Sequence, residues 1–161
     1  MANASLHLEL YSQLTLARNQ SILFDTLRLY DNNILYDWST GIATFTILGR
    51  YQVEWWVSTE MALNTDAIIF AMDQDGALVY ANSPVKTGQL TGVALIYATP
   101  GSTVTIKNVS TGSEGTVFLG NIVPLKASLV ITCIEDTVGP IGPAGPEGPA
   151  GATGPEGPMG A

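Results

Sequence analysis

Charge is scarce in this sequence. Asp, Glu, Lys and Arg make up 12% of its 161 residues, while 46% are apolar; soluble domains carry about a quarter charged residues. So few charges cannot coat an ordinary monomer, and part of the surface is expected to be buried against copies of the same chain. The charges present leave a net −8, which makes nucleic acid and anionic membranes poor partners. No apolar run approaches the roughly 20 residues that a membrane-spanning helix needs. Residues 1–9 have neither the basic start nor the apolar core of a signal peptide. The expectation is a mature product, or one that reaches the exterior by another route.

Reactive groups are equally scarce. Cys133 is the one cysteine, so there is no disulfide framework; in its apolar strand pattern it reads as a small buried hydrophobe. His7 is the one histidine and has no acid or nucleophile patterned around it, so it reads as a strand residue facing solvent. Asp73 and Asp75 echo an Asp-x-Asp calcium loop, but the third acid and the distal glutamate are missing. A turn is expected there. No glycine-rich phosphate loop precedes a helical pattern. No catalytic residue, cofactor site or metal site is expected, and the chain is not read as an enzyme. Asn108-Val109-Ser110 and Asn3-Ala4-Ser5 match the N-glycosylation pattern incidentally.

What is there, over residues 1–136, is strand after strand. Leu6, Leu8 and Leu10 alternate with His7 and Glu9, and Leu14 and Leu16 keep the period of two. Further strands are predicted at 22–24, 27–29, 34–36, 42–57, 67–72, 77–81, 93–98, 103–109 and 125–134, rich in the β-branched and aromatic residues that suit a pleated surface. Asp75-Gly76 is a strong hairpin signal. Other turn signals are Asp31-Asn32-Asn33, Asn82-Ser83-Pro84, Pro100-Gly101-Ser102 and Thr111-Gly112-Ser113. About ten short strands with such punctuation, and no sustained helical period, predict an all-β sandwich or jelly roll.

The remaining segment, 137–161, has another logic. Gly139, Gly142, Gly145, Gly148, Gly151, Gly154, Gly157 and Gly160 recur at every third position, and proline follows six of the seven that open complete triplets. That is a collagen-like pattern, in which only glycine fits where three chains crowd one axis. The third positions, Ile141 through Met159, contain no proline, so hydroxyproline cannot form there and a bacterial or phage source is expected. Seven triplets bury too little to offset their ordering entropy unaided. The chain is therefore read as two domains, with residues 1–136 setting the register of a triple helix formed by 137–161. The alternative for the tail is a disordered Pro/Gly segment.

The run Tyr36-Asp37-Trp38-Ser39-Thr40-Gly41, followed by Gly49-Arg50-Tyr51, resembles the globular head shared by C1q and the tumour necrosis factor superfamily. Asp73-Gln74-Asp75-Gly76, Leu95-Ile96-Tyr97 and Ala127-Ser128-Leu129-Val130-Ile131 fall in a similar order. With the collagen-like repeat, the chain looks most similar to BclA-like collagen-linked heads of bacterial spore surfaces. The resemblance implies a ten-stranded, homotrimeric jelly roll. It also implies a setting on the exosporium or a spore appendage, with copies of itself and other coat proteins as partners, and trimers that either form a hair-like layer or link into a filament. Trp55 and Trp56 are adjacent on a strand and point to opposite faces; one is expected in the core and the other at an interface, in solvent or against a ligand. The resemblance adds Tyr51 and Tyr97 to the candidate trimer interface. Thr153 occupies a position glycosylated in bacterial collagen-like stalks. Two departures are visible: the stalk follows the head, and no exosporium-targeting segment precedes it. If first and last strands are neighbours, a stalk can still leave from the end where the chain begins. A structural role is the first expectation, and a C1q-like or phage-fibre-like adhesion module that recognises a glycan or protein is the alternative.

Overall fold

Leu6, Leu8 and Leu10 are buried while Ser5 and His7 are only half-buried, with Glu9 buried in its turn, and the same alternation recurs along most of the longer strands. In the computed structural model, which describes residues 4–83, 87–136 and 143–160, the strands in chain order are β1 (Ser5–Leu10), β2 (Thr15–Leu16), β3 (Thr26–Tyr30), β4 (Ile34–Asp37), β5 (Ile42–Phe45), β6 (Gly49–Thr59), β7 (Met61–Leu63), β8 (Ile68–Gln74), β9 (Ala77–Ser83), β10 (Gly88–Ala98), β11 (Thr103–Asn108), β12 (Thr116–Phe118) and β13 (Ala127–Asp136). One five-stranded sheet has the order β10-β6-β13-β1-β3, and a second has the order β4-β5-β11-β8-β9. A small sheet, β2-β12-β7, completes the set. The core between the two large sheets includes Leu8, Tyr51, Val53, Trp55, Phe70, Met72, Val104, Ile106 and Ile131. Burying each large apolar side chain contributes about 1.5–3 kcal/mol.

Thirteen strands in three sheets replace the ten expected. β7 and β12 have three residues each, too few to show a period. The single strand expected over 42–57 is two strands in different sheets. Between them Thr46 donates its backbone N–H to the Asn33 carbonyl at 3.1 Å, and Phe45 bonds Ser102 and Gly101, which carries the chain from one layer to the other. Residues 22–24 are not a strand either. Ile22 and Phe24 are buried, but the segment forms no strand ladder; it meets β11 through the isolated bridge from Ser21 to Lys107 and the Ile22 N–H bond to the Ile106 carbonyl at 2.8 Å.

β1 and β13 pair antiparallel, with Ser5 opposite Thr132 and Leu10 opposite Ala127. The start of β1 and the end of β13 therefore share one end of the sandwich. The β8–β9 hairpin turns at Asp75 and Gly76, whose φ values of 50° and 94° are the paired left-handed conformations of a type I′ turn.

Candidate functional site

Alternation along β6 decides which aromatic residues can meet a partner. Tyr51 and Trp55 point inward and are 0% and 1% exposed. The Tyr51 ring packs against Phe45 with centroids 4.5 Å apart, and its hydroxyl donates to the Ile47 carbonyl at 2.7 Å. Trp55 lies against Gly92 of β10. Both have no surface to offer a second chain, so their place in the expected interface is corrected to the core. Trp56 is half-buried on the opposite face, and Tyr97 of β10 is exposed there.

That outer face of the first sheet is the candidate assembly surface. β10 presents Val93, Leu95 and Tyr97, which are 55%, 70% and 54% exposed. Register sets Val93 beside Glu54, Leu95 beside Gln52 and Tyr97 beside Arg50; β13 then adds Val130 and Thr132, and β1 adds His7 and Ser5. Near the end of β13 a hollow of about 310 Å³ is lined by Arg50, Leu95, Ile96, Tyr97 and Ile134. Ile134 lies at the bulge between Cys133 and Glu135, which leaves it 42% exposed. Val93 and Ile134 were not singled out from the sequence, and Leu95 entered only through the resemblance, not as an interface residue. The strand at 93–98 was predicted, but its residues are apolar throughout, so which of them face outward depends on where the second sheet lies, and the bulge has no sequence signature here.

Polar candidates are occupied by the fold itself. His7 Nε2 is 3.3 Å from Ser128 Oγ. Glu9, next along β1, pairs with Arg28, whose guanidinium also donates to the Tyr11 hydroxyl at 2.9 Å. Asp73 accepts from the Gly76 N–H at 2.8 Å and pairs with Lys107 at 2.6 Å. Partial burial pushes the Asp73 carboxyl up, but Lys107 and the Gly76 N–H outweigh it and hold the group below the ordinary carboxylate range. Asp75 accepts from the Thr103 N–H at 2.9 Å. Both aspartates thus brace the turn. Among the described residues no group of three or more His, Cys, Asp or Glu side chains is placed to hold a metal ion.

Asn108 is fully buried. Its amide donates to the Leu16 and Gly115 carbonyls at 3.0 and 2.8 Å, and its oxygen accepts from the Ser110 N–H at 3.0 Å. The glycosylation pattern at Asn108 is therefore a structural motif, closed to modification in the folded head; Asn3 lies outside the described residues.

Residues 143–160 are exposed throughout and form no helix or strand. A Cβ placed on Gly145, Gly148, Gly151, Gly154, Gly157 or Gly160 would meet nothing within 4 Å, and none of the six has a positive φ. Thr153 is exposed among them. Gly139 and Gly142 lie outside the described residues.

No protein-family model and no curated protein matches the chain. Solved structures do. The globular domain of a zebrafish complement 1qA protein aligns with a TM-score of 0.65 at 13% identity, covering 84% of this chain and 99% of its own. The Eiger TNF of S. frugiperda aligns with a TM-score of 0.65 at 11% identity, covering 95% and 100%. Murine APRIL aligns with a TM-score of 0.55 at 9% identity, covering 81% and 99%. At such identities the likeness is one of fold: this chain carries an all-β, C1q- and TNF-like jelly-roll head.

Proposed function

We propose that this is a non-enzymatic structural protein whose head, residues 1–136, associates as a homotrimer and nucleates a collagen-like triple helix in residues 137–161. The space around the tail glycines carries the reading. Glycine at every third position costs conformational entropy, and the lone chain gives it no return, because a side chain would fit at every described position. The period makes sense when three chains share an axis. The head supplies the complementary feature, an exposed apolar row of Val93, Leu95 and Tyr97 on one edge of the first sheet. Covering that row would add about 1–2 kcal/mol per side chain and would fix three chains close to where their stalks begin.

Resemblance to BclA-like heads, and third positions without proline, support a setting on the outside of a bacterial spore or a spore appendage. There the trimers either decorate the surface or link into a filament with other coat proteins, and Thr153 is available for glycosylation. Light scattering on the full chain tests the core of the reading. A mass near three times 17.0 kDa is expected, and a monomer would sink it. A much larger species would point to the filament. The second reading, a recognition module, is favoured by a separate concavity on the head.

A further inference from the structure

The sandwich has two open edges. β9 and β10 lie against each other at one, beside the apolar row; β3 and β4 bound the other. Between β3 and β4 is a slot of about 130 Å³ lined, among the described residues, by Leu6, Leu27, Tyr30, Tyr36 and Trp38. Tyr36 and Trp38 meet at 87° with centroids 4.9 Å apart, so two π faces form a corner. Leu27, Tyr30 and Trp38 are 45%, 39% and 47% exposed, an apolar surface that the head's own packing does not use.

The electrostatics of the slot have one sign. Among the described residues no lysine or arginine lines it, and Arg28, the cation on β3, is held by Glu9 and the Tyr11 hydroxyl. Asp25, Asp31 and Asp37 lie on the segments that carry the slot. Burial, and then the charges of Asp37 and Asp25, push the Tyr36 phenol up to about 12 even though its oxygen accepts a bond from the Phe24 N–H. The ring is thus a neutral phenol in a negative field.

Among the described residues none of these carboxylates lines the slot, and each already accepts hydrogen bonds from the fold. Asp37 Oδ1 accepts from the Ser39 N–H at 2.9 Å and from its hydroxyl at 2.6 Å. Asp31 is taken by Ser5 and the Asn33 N–H, and Asp25 by Tyr11, Ser12 and Thr26. A sugar would need free acceptors for its hydroxyls, and a primary ammonium would need acceptors for its three N–H bonds. A quaternary nitrogen has no N–H. It needs only a negative field and aromatic faces, which attract it through the ring quadrupole. We propose that this slot binds a quaternary or fully methylated ammonium group, as carried by choline or by trimethyllysine.

The test is a titration of the full chain labelled with fluorotryptophan, whose three tryptophans give separate fluorine NMR signals. Choline should shift the Trp38 signal saturably, leave Trp55 and Trp56 unmoved, and bind about five-fold tighter than its uncharged tert-butyl isostere. Tyr30→Leu should abolish the shift while the Trp55 and Trp56 signals report an intact head. Trimethyllysine amide titrated in parallel assigns the source by whichever of the two cations binds more tightly. Equal binding of the isostere, preferential binding of glucose, or no saturable shift with either cation would each overturn the proposal.

Discussion

Gly92 of β10 sits directly across from Trp55 of β6, and a Cβ on it would lie 2.0 Å from the indole Cζ2. The indole occupies the volume that any other residue would fill. Gly92 is not among the glycines with positive φ, so its identity is set by this contact rather than by backbone conformation. The indole Nε1 is buried and has no hydrogen-bond partner among the described residues, which leaves ring packing to hold Trp55 in place.

Gly92→Ala should therefore overpack the sheet and destabilise the head by about 1–3 kcal/mol, read as a lower urea midpoint with unchanged slope. In a Trp55→Leu background the same change should cost measurably less, because the clashing ring is gone and contacting sites couple. Equal costs in both backgrounds would show that Gly92 matters for another reason.

The exposed row on β10 makes a separate prediction. Leu95→Lys and Tyr97→Lys put charge on side chains that are 70% and 54% exposed in the single chain, where surface substitutions are tolerated within about 0.5 kcal/mol. The expected result is a folded head by circular dichroism that no longer assembles by light scattering. A trimer that survives both changes would move the interface elsewhere. Trp56→Ala, on the same face, is the companion probe.

Acid should weaken the head through identifiable groups. Burial raises the Asp25 and Asp73 carboxyls, but hydrogen bonds from Ser12 and Thr26, and from Lys107 and Gly76, more than reverse it, so both lie below the ordinary 3.8 in the folded state. A carboxyl depressed by folding adds stability that is fully present above its unfolded pKa and is lost as pH falls through the folded value. The melting temperature should thus hold between about pH 7 and 5 and fall below about pH 4. Asp73→Asn should make that fall shallower, and a variant curve parallel to wild type would show that Asp73 is not a contributor.

Much of this head was legible because a half-buried strand writes its burial into the sequence with period two. The alternation of Leu6, Leu8 and Leu10 and the Asp75-Gly76 turn reappear as expected. What alternation cannot supply is the sign of a face or the register between strands. Tyr51 and Tyr97 were grouped as interface residues, yet in register it is Arg50 that stands beside Tyr97, so Tyr51 faces the other way, into the core. The bulge that leaves Ile134 outside and the slot between Tyr30 and Trp38 both depend on long-range pairing, which no local pattern encodes. Asn108 shows the converse: a readable motif whose meaning, two carbonyls satisfied inside the core, came from packing.

The tail supplies the prediction that best separates the two domains. In a lone chain Gly148→Ala is harmless, since nothing lies within 4 Å of the added carbon and alanine shortens the list of unfolded conformations. In a triple helix the same carbon would point at the shared axis, where only glycine fits. Gly148→Ala should therefore lower the melting of the triple-helix circular dichroism signal while the light-scattering mass of the head assembly stays the same. A peptide of residues 137–161 alone should show no cooperative melting, because nucleation falls to the head. If the variant melts like wild type, the glycine period is not read by neighbouring chains. If the isolated peptide melts cooperatively, the head is not its nucleus.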